Sequence, residues 1–248
     1  MSPGLDTALC MLAVFAAACV RGYAGFGFSA ISIGLMSLWR APAELVPIIF
    51  ILEVPASLLL LRQALRAFSR QWMRPLIGGS VLGIPAGVAL LAGLQGPWLQ
   101  LVVSLCILVS SVAVRLGWHP RHGDTVGYRW LTGVLSGLLN GLSVLGGIVC
   151  AVMLASVQIS PQALRATLTL LFLFTDVYGL LLAWLAGLVH PQMWAQAALW
   201  ALPLALGIYA GSHFFHLSDP ARFRQRMFGL LTLLGAMGVA KALWSLGT

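Results

Sequence analysis

Eight apolar runs account for most of the chain, near residues 5–39, 45–61, 75–94, 98–114, 130–157, 166–188, 192–215 and 227–246. A helix needs roughly 20 apolar residues to cross a bilayer, and in lipid a segment must satisfy its own backbone hydrogen bonds. Such runs predict an all-α integral membrane protein. Charged residues make up only 8% of the chain, against about 25% in ordinary soluble domains. The formal net charge of +8 does not indicate nucleic acid, because the arginines lie in short loops between apolar runs. There they orient the chain and meet anionic lipid headgroups. Leu5 to Val20 lacks the basic start of a signal peptide and is read as part of the mature fold. Cys10, Cys19, Cys106 and Cys150 lie singly in apolar runs, which predicts packing residues rather than a disulfide framework or a metal site.

Two runs are interrupted by glycine clusters, Arg21 to Gly27 in 5–39 and Asn140 to Gly147 in 130–157. The second is too long for one span and short for two, which predicts two half-helices entering and leaving on one side. Charge placement agrees. The loops 62–74, 115–129 and 216–226 carry Arg62, Arg66, Arg70, Arg74, Arg115, Arg121, Arg129, Arg222, Arg224 and Arg226, whereas 95–97 and 188–191 carry no Lys or Arg. Positive loops face the cytoplasm, and all three do so only if 130–157 makes no net crossing. The same logic brings the first hairpin in from outside. One transmembrane domain over 1–248 is expected, with a first repeat over 1–115, a cytoplasmic linker over 116–129 and a second, inverted repeat over 130–248. Each repeat is read as a re-entrant or broken glycine-rich hairpin followed by three transmembrane helices.

The halves also match in sequence. At an offset of 119, Gly22 meets Gly141, Gly27 meets Gly146, Pro42 meets Pro161 and Leu45 meets Leu164. Leu82-Gly-Ile-Pro-Ala-Gly87 matches Leu206-Gly-Ile-Tyr-Ala-Gly211 at all but one place. Ordered matches of this kind are the mark of inverted-repeat transporters.

Arg21 is the unusual residue. An arginine at the centre of a membrane helix costs roughly 2.5 to 3.5 kcal/mol, which marks it as a functional candidate in need of an anionic partner. We read that partner as the substrate; pairing with Glu53 or Asp176, or reach to an interface, are the alternatives. Glycine breaks a helix and exposes the amides of the half-helix that follows. Two amino termini, from Phe26 to Ser29 and from Leu145 to Ile148, would offer donors and dipoles to an anion at the midplane. Asn140, aligned with Arg21, hydrogen-bonds without adding charge. The candidate substrate-binding set is Arg21, Gly25, Phe26, Gly27 and Ser29 with Asn140, Ser143, Gly146 and Gly147.

Glu53 and Asp176 are the carboxylates well inside apolar runs. Burial disfavours a charged carboxylate, so both are candidate proton carriers, with structural pairing as the alternative. His213 with His216, and His119 with His122, lack a third ligand of suitable spacing, so no metal is expected. Gly79/Gly83/Gly87, Gly133/Gly137/Gly141 and Gly207/Gly211 recur at four-residue spacing and read as packing seams. Trp39, Trp98, Trp118, Trp130, Trp194 and Trp244 fall near run ends, as interfacial anchors do.

With Gly22-Tyr-Ala-Gly-Phe-Gly-Phe-Ser29 and Gly137-Leu-Leu-Asn-Gly-Leu-Ser-Val-Leu-Gly-Gly147, and with its length and two-fold repetition, the chain resembles the sulfite exporter TauE/SafE family of membrane permeases over nearly its whole length. The resemblance implies a multi-pass inner-membrane protein moving sulfite, organosulfonates or related anions. Together with the residues it predicts a secondary transporter without cofactor, with protons as the candidate coupling ion. An anion channel, or a permease for another organic carboxylate, is the alternative. No Ser/His/Asp grouping, HExxH or phosphate-binding loop argues for an enzyme. The oligomeric state is left open.

Overall fold

The computed structural model describes residues 3–94, 96–117, 125–154, 160–214 and 220–247. Among these residues there are ten helices and no strand. They are α1 (Pro3–Ala24), α2 (Phe28–Met36), α3 (Pro42–Ala64), α4 (Arg70–Gly93), α5 (Gly96–Arg115), α6 (Val126–Ser143), α7 (Gly146–Leu154), α8 (Pro161–Leu185), α9 (Pro191–Phe214) and α10 (Pro220–Gly247). Helices α1, α3, α4, α5, α8, α9 and α10 are long and apolar enough to cross a membrane. Several begin outside their apolar run, because caps and proline set the first turn. Ser160 accepts from the Ala163 N–H ahead of α8, Thr125 accepts from the Tyr128 N–H ahead of α6, and Pro42 and Pro161 occupy first-turn positions where the missing N–H costs nothing.

Both glycine-interrupted runs are split as their sequence predicts. α1 ends before Gly25 and α2 starts after Gly27; these glycines have φ of 81° and 95°. α6 ends at Ser143, followed by Val144 at φ 55°. Val144 aligns with Gly25 at the offset of 119, so a β-branched residue holds on one side a left-handed turn that glycine makes on the other. Such a conformation costs such a residue about 1–3 kcal/mol. The two breaks differ in length as well: α1 is long enough to cross a bilayer, whereas the shorter α6 is not among the helices that meet that criterion.

Packing repeats with the element order. α4 lies along α6 as α9 lies along α1; α3 meets α8, α5 meets α10, and α3–α9 contact mirrors α8–α4 contact. The glycine ladders form two of these seams. A Cβ on Gly79 would lie 2.5 Å from the Trp130 carbonyl oxygen, one on Gly133 2.6 Å from that of Leu76, and one on Gly137 2.6 Å from Ser80 Cα. Across α1 and α9, a Cβ on Gly207 would lie 2.5 Å from the Phe15 carbonyl oxygen, and one on Gly22 2.9 Å from the Ser212 nitrogen. No side chain fits there, so the backbones touch, as small-residue seams in membranes require.

At the amino-terminal end of α1, the Asp6 carboxylate pairs with Arg40 and accepts 3.0 Å from Trp39 Nε1. That hydrogen bond from Arg40 to Asp6 holds the guanidinium still more firmly protonated. Trp39 is thus tied into the fold, while Trp98, Trp130, Trp194 and Trp244 are exposed as interfacial anchors would be. Trp118, His119, His122 and His216 lie outside the described residues. The four cysteines are unbridged, and Cys10 and Cys150 are buried.

Candidate functional site

The breaks of α1–α2 and α6–α7 meet α3 and α8 at a small cavity. Its walls include Arg21, Gly27, Ser29, Glu53, Asn140, Val144, Gly147, Ile148, Phe172 and Asp176. The space open to a water centre is about 10 Å³, room for about one water. Arg21, Glu53, Asn140 and Asp176 are each at most 2% exposed.

Arg21 has an internal partner. Its Nη1 lies 3.0 Å from Glu53 Oε2, its Nη2 donates to Ser57 Oγ at 2.7 Å, and its Cζ sits 4.8 Å from the centre of the Phe172 ring. α3 carries Glu53 to the level of Arg21, so the internal pairing that the sequence offered as an alternative is the one this structure holds. Glu53 takes a second seat as well. Ser29, in the first turn of α2, donates from both its hydroxyl and its backbone N–H to the Glu53 carboxylate. An internal anion therefore occupies the amino terminus of α2, where helix dipole and free amides favour negative charge.

On the other side, Asn140 Nδ2 donates to Asp176 Oδ1 at 2.8 Å. The two tethers are equivalent. Arg21 and Ser57 are 36 residues apart, as are Asn140 and Asp176, and the offset of 119 carries each member of one pair onto the other. The same offset carries Glu53 onto Phe172. Each break is thus held to its long helix at one register; the first half places a guanidinium, a hydroxyl and a carboxylate there, and the second an amide, a carboxylate and a ring.

The site is not fully satisfied. Glu53 Oε2 meets Arg21 only as an ion pair, and Arg21 Nε and Asp176 Oδ2 are buried with no hydrogen-bond partner. Unpaired buried groups of this kind cost about 1–3 kcal/mol each, more when charged, and call for water, a proton or a ligand.

Of the expected residues, Arg21, Gly27, Ser29, Asn140 and Gly147 line the cavity. Gly25 packs under the Arg165 side chain, Phe26 packs against Phe228 with ring centres 6.3 Å apart, and Gly146 sits over Ser136, whose hydroxyl donates to its carbonyl at 3.0 Å. Ser143 donates 3.2 Å back to Leu139 in its own helix. Ser57 and Phe172 escaped the sequence reading, although the repeat offset would have produced both from Asp176 and Glu53. Arg165 escaped it too: its guanidinium donates to the Gly22 carbonyl beside the break. Nothing in the repeat flags Arg165, since its aligned residue is Val46.

Among the described residues no cluster of His, Cys, Asp and Glu is arranged to hold a metal ion. Comparison with family models matches residues 10–238 to the family described as Sulfite exporter TauE/SafE. Neither the curated proteins nor the solved structures contain a match.

Proposed function

The chain belongs to the sulfite exporter TauE/SafE family and is a multi-pass membrane permease, and from that premise we propose that it carries small sulfur-containing anions, such as sulfite or organosulfonates, across the inner membrane together with protons at one buried site. The observation that carries this reading is the seat of Glu53. A carboxylate lies against Arg21 and the first turn of α2, where a sulfite or sulfonate oxygen would find the same donors. Protonation of Glu53 removes its charge and frees Arg21 and the Ser29 amide for the incoming anion. Departure of the anion lets Glu53 ionise and re-pair. The anion thus competes with the ionised carboxylate, and the proton and the anion enter and leave together, which is how a single site couples them. The planar fork of Arg21 suits an oxyanion, and Asp176, held by Asn140 on the opposite wall, is the second candidate carrier of the proton. Gly25, Phe26, Ser143 and Gly146 shape the breaks.

The equivalent tethers and the paired packing support two repeats related by an inverted two-fold, with re-entrant hairpins and alternating exposure of the midplane. The basic connections at 62–74, 115–129 and 216–226 would face the cytoplasm. A cavity of about 10 Å³ supports a carrier over an open pore.

The test is sulfite flux into proteoliposomes at matched insertion, with an imposed proton gradient and sulfonates as competitors. The parent chain should show saturable, competed flux. Arg21→Ala should abolish it, and Glu53→Gln should leave anion binding in place while removing the response to the gradient. Flux that persists in Arg21→Ala at the parental KM would remove Arg21 from the site.

A further inference from the structure

Three side chains among the described walls of the buried site can ionise, namely Arg21, Glu53 and Asp176, and each is at most 2% exposed. With all three ionised, the walls would hold one uncompensated negative charge. Burying such a charge is costly enough that a carboxyl group keeps its proton instead. The hydrogen bonds decide which of the two carboxyl groups does so.

Glu53 is placed to be ionised. It faces the Arg21 guanidinium at 3.0 Å and accepts from the hydroxyl and the backbone N–H of Ser29. Asp176 meets one uncharged donor: Asn140 Nδ2 reaches Oδ1 at 2.8 Å, and Oδ2 has no hydrogen-bond partner. That division is the one a carboxylic acid makes, with Oδ1 as the carbonyl and Oδ2 as the hydroxyl. The charges that act on Asp176 are those of Glu53 and Arg21, and these two already pair with each other. Arg165, the cation of α8, packs on Gly25, about 16 Å of helix from Asp176 at roughly 1.5 Å per residue. The repeat agrees. At the offset of 119 the counterpart of Asp176 is Ser57, an uncharged hydroxyl that accepts from Arg21.

We propose that Asp176 keeps a resident proton, so that the site without substrate has no net charge and takes a singly charged oxyanion, hydrogensulfite or a monosulfonate, together with one travelling proton on Glu53. The resident proton rests on the geometry alone; the charge of the substrate rests on the transport reading above. Loading forms one O–H bond, on Glu53, with a proton drawn from the aqueous phase, and leaves Arg21 opposite one anion. The net charge is zero before and after. A dianion would leave one negative charge buried and unbalanced, which the site has no further cation to meet among its described walls. Each cycle therefore moves one monoanion with one proton and no net charge.

The first test is infrared absorption of the full chain in detergent near neutral pH, where a protonated carboxyl group has a carbonyl band that a carboxylate lacks. Heavy-carbon labelling of the aspartate carboxyl groups should shift that band, and Asp176→Asn should remove it. If Asp176→Asn does not fold, the labelled parent chain alone decides. Absence of the band, or a band that the aspartate label does not move, overturns the resident proton. The second test is sulfite flux in proteoliposomes under a fixed pH gradient, with the membrane potential set by potassium and an ionophore. The rate should be the same at potentials of either sign. Methanesulfonate should compete with sulfite, and sulfate, of nearly the same shape but doubly charged, should compete about tenfold more weakly. Flux that follows the potential, or equal competition by sulfate, overturns the balance of one monoanion with one proton. The aspartate band without sulfite flux upholds the resident proton and removes the permease reading; saturable flux without the band keeps the permease and overturns the resident proton.

Discussion

Arg21 and Glu53 set the energetics of the core. Two charges taken from water into a site this closed gain little net stability from each other, but removing one strands its partner at about 3–5 kcal/mol. Arg21→Met and Glu53→Gln should each therefore lower stability by about that amount, and the double variant should recover much of the loss. Denaturation of the three variants in detergent checks this, and additive losses would mean that the ion pair seen at 3.0 Å carries no coupling. The same residues mark what the sequence could and could not say. Arginine in an apolar run is visible at once, because its cost is local and independent of fold. Its partner is not, because the choice between Glu53, Asp176 and a bound anion depends on which helix face turns inward.

Among elements, the seam between α4 and α6 decides whether the second break is held in place. Gly83 faces the backbone of α6, whereas Gly93 at the end of α4 has open space around it. Gly83→Ala should cost about 1–3 kcal/mol by overpacking, and Gly93→Ala should be close to neutral. Thermal stability in detergent separates them; equal effects would refute a backbone-contact seam. Both seams were legible in four-residue glycine spacing, and both breaks in glycine clusters within overlong runs, since each signal rests on backbone sterics. Which glycine lines the cavity and which merely packs was not legible. Gly25 and Gly27 share a left-handed turn, yet one lies under Arg165 and the other against the cavity.

For the whole molecule, the arrangement of basic and neutral connections predicts sidedness. A cysteine at Arg66, in the basic connection after α3, should react with an impermeant reagent only from the cytoplasmic side, and one at His190, between α8 and α9, only from the outside. Both positions are exposed. Labelling of both from the same side would overturn the inverted arrangement.

The ties around the first break also impose a timetable on synthesis. Arg21 bonds a hydroxyl 36 residues further along, whereas the neighbouring Gly22 carbonyl bonds a guanidinium 143 residues further along. At the usual 5–20 residues per second, the first partner emerges roughly 2–7 s after its mate and the second roughly 7–30 s after. The nascent chain can therefore neutralise its most expensive charge within α1 to α3, while the groove that receives α9 stays open to lipid or to the insertion machinery until nearly the end of translation. A truncated product stopping before α8 would carry a paired arginine and an uncovered seam, which is the form a membrane quality-control protease should recognise.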